Sequence, residues 1–170
     1  DYLYIDVGGG STELTLIRNG QRIKGQSFQI GTVRQLAGQI PDGEWGAVEE
    51  YISGLQSEDR SLYAIGTGGN ANRLQRLALT PRDEAIPMKK IEQVQSDLVK
   101  LTVEERRRCY HLKPDRADVI VHAVDIYIKI MHLAGASHLA VPKVGLVDGM
   151  ILSTYEEWRK EEKAKKKGGH

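Results

Sequence analysis

The sequence predicts an α/β fold in which helices pack on a mixed five-stranded sheet. An apolar, β-rich run at residues 2–7 stops at glycine, and an alternating run follows at 12–17. Asn19-Gly20 is typical of a tight hairpin turn and leads into a third strand at about 21–29, which completes an antiparallel meander. The remaining strands are predicted at 62–65 and 138–141.

The helices between the strands are predicted from capping residues and from apolar residues that recur every three or four positions. A capping-box pattern at Thr32 and Gln35 starts the first helix, and Asp115 and Gly135 bound the longest one. Prolines bracket a predicted loop at 81–87. The other predicted helices are marked by Trp45, Val48, Ile52 and Leu55, by residues 70–79, by Ile91, Val94, Leu98 and Leu101, by a capping pattern at 102–105, and by a final segment that starts near Asp148.

The composition excludes several classes of protein. With 24 Lys and Arg against 23 Asp and Glu, the formal net charge is +1, so no overall field attracts nucleic acid or an anionic membrane. Cys109 is the single cysteine, which rules out an intrachain disulfide and a cysteine-clustered zinc site. No apolar run reaches the ~20 residues of a membrane span, and no signal segment opens the chain, so the expected location is the cytoplasm.

The first of two glycine clusters lies at the tip of the opening hairpin. Glycines leave backbone N–H groups free to converge on an anion, and the two hydroxyls that follow add further donors. Asp6 and Glu13 flank the tip and are candidates to hold a divalent cation, Mg²⁺ or another, that neutralises a bound phosphate. The alternative is a flexible tip with solvated acids. The candidate phosphate-binding residues are Gly8, Gly9, Gly10, Ser11 and Thr12.

The second glycine cluster follows the predicted strand at 62–65 and precedes a helix. It fits the spacing GxGxxA, but the acids near the distance that a dinucleotide fold requires, Asp83 and Glu84, fall in a predicted loop. A helix N-terminus directed at phosphate and a purely structural strand-to-helix turn both remain open. The candidate phosphate-binding residues here are Gly66, Thr67, Gly68 and Gly69. Because both clusters end strands, we expect them to face each other across a crevice.

Five segments resemble, in order, the motifs of the exopolyphosphatase and guanosine pentaphosphate phosphohydrolase family. They are DVGGGSTE at 6–13, FQIGTVR at 28–34, IGTGG at 65–69, PDRADVI at 114–120 and GLVDG at 145–149. Together they cover about residues 2–155. The sequence departs from the family pattern at Gln29, where a proline is usual, at Val147, where an arginine or another polar residue is common, and at His122, where glycine or proline is frequent.

The resemblance implies a ribonuclease H-like lobe of the actin-like ATPase superfamily. Members of the family have two such lobes with the active site in the cleft between them, and this sequence is similar to the second lobe. On this basis residues 1–155 form that lobe and 156–170 form a charged helix end and tail. The implied partner is a first lobe, which carries another phosphate hairpin and the glutamate that serves as general base. A homodimer formed through the exposed lobe face is a further expectation.

The resemblance also implies a hydrolase that cleaves the terminal phosphoanhydride of polyphosphate or guanosine pentaphosphate by metal-assisted attack of water. Asp6 and Glu13 would hold Mg²⁺, and Glu13 would act in catalysis by orienting the nucleophile. We expect the chain alone to bind phosphate weakly and to have little or no activity. The alternatives are a non-catalytic lobe that binds phosphate or an alarmone, and an actin-like ATPase or sugar-kinase lobe.

Other charged residues are interpreted as structural. Arg116 beside Asp118 is expected to form a local ion pair, and Arg34 is expected to be solvated more readily than bound to phosphate. His122 and His132 are ten residues apart on one predicted helix, so they do not share a face and do not form a site.

Overall fold

The computed structural model describes residues 1–55 and 62–142. Within them the strands form one mixed sheet in the order β3-β2-β1-β4-β6-β5. The strands are β1 (Tyr2–Val7), β2 (Thr12–Arg18), β3 (Gln21–Phe28), β4 (Tyr63–Thr67), β5 (Ile86–Pro87) and β6 (His138–Ala140). The predicted meander is confirmed, because β2 pairs antiparallel with both β1 and β3. β4 lies parallel to β1 and to β6, so the sheet is mixed, as predicted.

The helices pack on one face of this sheet. They are α1 (Thr32–Leu36), α2 (Glu44–Ser53), α3 (Gly68–Leu77), α4 (Met88–Val99), α5 (Val103–Tyr110), α6 (Pro114–Ala117) and α7 (Ile120–Ala134). Along β1, Leu3 and Ile5 are fully buried in a core shared with α4 and α7, whereas Tyr4 and Asp6 point to the opposite face. Burying each such apolar side chain contributes about 1.5–3 kcal/mol. The alternation therefore fixes which face carries the acidic side chain at the end of β1.

The prediction of five strands is wrong, because β5 (Ile86–Pro87) is a sixth strand within the segment predicted as a loop. It pairs antiparallel with β6 at the sheet edge. A strand of two residues is too short to show an alternating pattern. Its proline, which has no N–H to donate, is tolerated only at such an edge.

Three predicted helix starts need correction. Asp115 does not begin the longest helix: it lies in the short α6, which opens with Pro114, and α7 starts only at Ile120. The cap of α1 is Gly31 rather than Thr32, and no side chain caps it. α3 begins at Gly68, two residues before the predicted start. At two of these places, near Thr32 and Asp115, a glycine or proline fixes the backbone where the pattern of side chains suggested a polar cap.

The capping pattern at 102–105 is confirmed. The Thr102 hydroxyl accepts from the backbone N–H of Glu105, and the Glu105 carboxylate accepts from the N–H of Thr102 at 2.7 Å. The predicted helix from Asp148, the tail at 156–170 and the GLVDG motif at 145–149 lie outside the described residues. The division of the chain at residue 155 therefore stays a prediction.

Candidate functional site

The tip between β1 and β2 is held from one side by the start of α1. The first N–H groups of a helix have no partner within the helix, and here they bind the carbonyl oxygens of the tip. The N–H of Thr32 donates to Gly8 O at 3.0 Å, that of Val33 to Gly9 O at 2.9 Å, and the side-chain Nε of Arg34 to Gly10 O at 2.7 Å. Three consecutive carbonyl groups are therefore directed at α1.

This arrangement sets the direction of the next three amides. No peptide bond in the described residues is cis, and in a trans peptide the C=O and the following N–H point in opposite directions. The N–H groups of Gly9, Gly10 and Ser11 consequently point away from α1. Successive amides on one side form the kind of concavity that binds anions.

The fourth amide of the tip closes the loop on itself. The N–H of Gly8 donates to Ser11 O at 2.8 Å, which holds the two ends of the glycine run together. Thr12 is 2% exposed, and its hydroxyl donates to Ile30 O at 2.6 Å. A hydroxyl has one proton to donate, so this one supports the loop rather than serving as the free donor suggested by the sequence. Ser11, which is half-buried, keeps its hydroxyl at the tip.

Gly31 allows α1 to approach the tip this closely. A Cβ atom at Gly31 would lie 2.3 Å from Gly9 O and 2.6 Å from the carbonyl carbon of Gly10. Both neighbours are backbone atoms, which cannot rotate away as a side chain can. The tip glycines are less constrained, since a Cβ at Gly10 would meet no heavy atom within 4 Å.

Asp6 and Glu13 lie directly opposite each other in the β1–β2 register. Opposed residues of an antiparallel pair share a face, with Cβ atoms roughly 4.5–5.5 Å apart. Asp6 is half-buried and Glu13 is exposed, so both carboxylates lie beside the tip, on the face of the sheet opposite the helices that the structure describes. Two carboxylates suit Mg²⁺, which binds through one or two protein oxygens and keeps its other positions for water and substrate phosphates. No group of three or more His, Cys, Asp or Glu side chains in the described ranges is placed to hold a metal.

The second glycine loop meets the first at Asp6, which pairs with Thr67 in the parallel β1–β4 register. Gly68 has a φ of +82°, which glycine adopts without strain, and a Cβ there would lie 2.6 Å from Asp6 Oδ1. Gly66 has a different role, because a Cβ there would lie 3.0 Å from the Cβ of Ala71 inside the core. The structure thus brings Gly68 to the carboxylate and leaves Gly66 as a packing residue.

The start of α3 leaves polar atoms without partners beside the loop. Thr67 is the N-cap residue but makes no side-chain capping bond, and Asn70 donates its amide to Val7 O at 2.7 Å. Both residues are 6% exposed, and neither Thr67 Oγ1 nor Asn70 Oδ1 has a hydrogen-bond partner among the residues that the structure describes. Buried polar atoms are almost always satisfied. These two buried oxygens therefore keep unused hydrogen-bonding capacity next to the second glycine loop.

Tyr127 ties the two strands together beneath the site. Its hydroxyl lies 3.3 Å from Thr67 O and 3.5 Å from Ile5 O, and the ring is fully buried. Burial, with a smaller contribution from the negative charge of Asp6, raises the pKa of the Tyr127 hydroxyl far above its ordinary value. The hydroxyl stays protonated and acts as a donor to the strand carbonyls.

Sequence reasoning gave too little weight to three residues here. Arg34 is not a solvated side chain but a donor to the tip, Gly31 is the contact that admits α1, and Asn70 spans the two loops. The only signal in the sequence was that Gly31 and Arg34 belong to the FQIGTVR motif at 28–34. Arg116 pairs with Asp115, at 3.2 Å, and not with Asp118 as expected.

A family model for the Ppx/GppA phosphatase family matches residues 1–157. The chain belongs to the Ppx/GppA phosphatase family. No curated protein sequence matches it. The predicted resemblance is confirmed, and the predicted α/β class agrees with a six-stranded sheet in place of five.

Solved structures of the family share the fold of this chain. A Ppx/GppA phosphatase of Aquifex aeolicus, in its type II variant, aligns with a TM-score of 0.71 and 22% identity over 89% of this chain and 56% of its own. An exopolyphosphatase from Cytophaga hutchinsonii aligns with a TM-score of 0.69 and 18% identity over 92% of this chain and 57% of its own. The chain therefore spans little more than half the length of these relatives. None of the described helices has the length and apolar character needed to cross a membrane.

Proposed function

We propose that this chain is the phosphate-binding lobe of a hydrolase that cleaves terminal phosphoanhydride bonds, with polyphosphate or guanosine pentaphosphate as the substrate. Family membership supports a phosphatase, and the Cytophaga hutchinsonii relative is an exopolyphosphatase. The observation that carries the proposal is the orientation of the tip: three carbonyls are bound by α1, and three successive amides point away from α1.

In this mechanism the tip binds the phosphoryl group and the carboxylates hold a cation. The amides of Gly9, Gly10 and Ser11 donate to its oxygens, where charge spreads as the bond to the leaving group breaks. Asp6 and Glu13 would hold Mg²⁺, which when bound supplies positive charge against the phosphate oxygens. Glu13, the more exposed carboxylate, orients the attacking water, while the general base comes from a second lobe.

The proposal is tested by equilibrium binding of pyrophosphate to the 170-residue chain, with and without Mg²⁺. Asp6→Asn and Glu13→Gln remove charge and keep the shape, and we expect each to lower the Mg²⁺-dependent affinity by about tenfold or more. Glu49→Gln, an exposed carboxylate on α2, is the matched control and should change nothing. If both site variants bind pyrophosphate and Mg²⁺ as tightly as the parent chain, the site is wrongly assigned.

The catalytic part of the proposal is tested in a protein that also carries a first lobe. Phosphate release from polyphosphate, ATP and guanosine pentaphosphate should depend on Glu13, and the 170-residue chain alone should release almost none. Hydrolysis of ATP in preference to the other two would favour the ATPase alternative. Binding with no hydrolysis of any of the three would favour a non-catalytic lobe.

A further inference from the structure

α3 presents a polar stripe to solvent that starts at the second glycine loop. The buried residues of this helix are Asn70, Ala71, Leu74 and Gln75. The opposite side carries Gly69, Asn72, Arg73 and Arg76, whose spacing of three, four and seven residues places them in one line along the helix. With a rise of about 1.5 Å per residue, the line runs about 10 Å from the glycine loop to Arg76.

The line ends at a cavity that is lined by Arg76 and by a further arginine, Arg82. The cavity, of about 510 Å³, lies between the end of α3 and the following loop, and its lining includes Asn72, Arg76 and Arg82. Gln75 fixes the loop from inside: it is 5% exposed, and its side-chain amide donates to Pro81 O at 2.9 Å. No carboxylate of the described residues lines the cavity. Two cationic groups are thus directed into a concave surface formed by a fixed backbone.

The arginines of this surface have no directly bonded anionic partner within the described ranges. Arg73, Arg76 and Arg82 make no hydrogen bond or ion pair with the residues described there, whereas Arg116 close by is paired with Asp115. Partial burial, followed by the charges of Arg116 and Arg76, lowers the pKa of the Arg73 guanidinium, and the negative charge of Asp115 opposes this shift in part. Near Arg73 the positive charges of Arg76 and Arg116 outnumber the negative charge of Asp115, and an anion bound between them would relieve the remaining repulsion.

We propose that the outer face of α3, with Arg73, Arg76 and Arg82, is a second binding site that carries the distal phosphates of a polyanionic chain whose end lies in the glycine loops. The inference rests on the proposed function, since it needs the reacting end at the tip. Arginine suits such contacts, because its planar fork binds phosphate oxygens through two parallel bonds. The line and the cavity offer no aromatic side chain on which a base could stack, which favours inorganic polyphosphate over a nucleic acid.

The test compares how tightly the 170-residue chain binds pyrophosphate and a long-chain polyphosphate at the same Mg²⁺ concentration. In the variant Arg73→Gln/Arg76→Gln/Arg82→Gln we expect the affinity for the long chain to fall about tenfold and its dependence on salt to weaken. The affinity for pyrophosphate should stay unchanged, because pyrophosphate reaches only the tip. The control Lys100→Gln/Arg107→Gln/Arg108→Gln removes the same charge from exposed positions on and beside α5 and should keep both affinities.

Two outcomes would overturn the inference. One is an unchanged ratio of long-chain to pyrophosphate affinity in a triple variant whose thermal unfolding matches the parent chain. The other is a single-stranded oligonucleotide that competes as well as polyphosphate and loses affinity in the same variant. Failure of the proposed function is a separate result: it would appear as pyrophosphate binding that does not respond to Asp6→Asn, whatever the arginine variant does.

Discussion

The two glycine loops lie side by side, yet glycine serves different purposes in them. In the first loop the glycines turn three carbonyls towards α1. The strictest requirement for glycine lies outside the loop, at Gly31, where a Cβ would lie 2.3 Å from Gly9 O. In the second loop the requirement for glycine lies within the loop, because Gly68 has a positive φ and a Cβ there would lie 2.6 Å from Asp6 Oδ1. Similar composition therefore predicts a similar location but not a similar mechanical role.

The difference also concerns what each loop leaves open. The first loop satisfies its carbonyls and exposes amides, which suits an anion. The second loop buries the oxygens of Thr67 and Asn70 without partners among the described residues, and it places Gly68 next to the Asp6 carboxylate. A carboxylate suits a cation or its water molecules. The two loops thus divide the tasks of the candidate site between them.

The largest effect should come from Gly31→Ala. Its Cβ would overlap the backbone of Gly9 and Gly10, so α1 must move away and the tip loses the donors that orient it. We expect the free energy of unfolding to fall by about 3 kcal/mol and pyrophosphate binding to be lost. Chemical denaturation and calorimetry measure the two effects.

Gly10→Ala is the matched control, since a Cβ there meets no heavy atom within 4 Å. It should change the free energy of unfolding by no more than about 0.5 kcal/mol. Equal destabilisation by the two variants would contradict the view that α1, rather than the loop itself, imposes the requirement for glycine.

Gly68→Ala should have the next largest effect and should act on the cation. The positive φ costs an alanine about 1–2 kcal/mol, and the new methyl group would displace the Asp6 carboxylate, whose Oδ1 lies 2.6 Å from the position of that Cβ. We expect Mg²⁺ affinity to fall about tenfold. Gly69→Ala, where a Cβ meets nothing within 4 Å, should keep it. If Gly69→Ala weakens Mg²⁺ binding as much, the contact with Asp6 is not the cause.

Tyr127→Phe should have the smallest effect, because it removes one hydroxyl and keeps the buried ring. The carbonyls of Thr67 and Ile5 lose a donor, which should cost about 1–2 kcal/mol, as measured by denaturation at pH 7. The affinity of the site for pyrophosphate should change little, since the hydroxyl donates to backbone carbonyls of the strands and not to the tip.

The same residue gives stability a pH dependence of known sign. Burial raises the pKa of Tyr127 above the ordinary value of 10.0. The contribution of Tyr127 to the free energy of unfolding is therefore complete below pH 10 and is lost as the pH rises towards the folded-state pKa. The parent chain should lose stability above about pH 10, and Tyr127→Phe should lose less over the same range. Parallel curves for the two proteins would contradict this assignment.

The strands and the two loops could be predicted because their signals are local. Residues 2–7 form an apolar, β-rich run, residues 12–17 alternate, Asn19-Gly20 makes a turn, and each glycine run directly follows a strand. The close approach of Gly31 to Gly9 could not be predicted, because it joins segments more than twenty residues apart and depends on where α1 docks. The hydroxyl of Thr12 was misjudged for the same reason: its acceptor, Ile30 O, comes from another element.

The docking of α1 also bears on the entropy of ligand binding. α1 holds the tip with its first amides, and Gln35, in its last turn, donates to Asp125 of α7, which also accepts from Gln95 of α4. The hairpin formed by β1 and β2 is thus connected through α1 to α7 and α4. Loops that are already ordered lose little conformational freedom when a ligand arrives. We therefore expect the affinity of this tip for a small anion to depend on the contacts between the tip and the anion. The entropic cost of ordering the tip should contribute little.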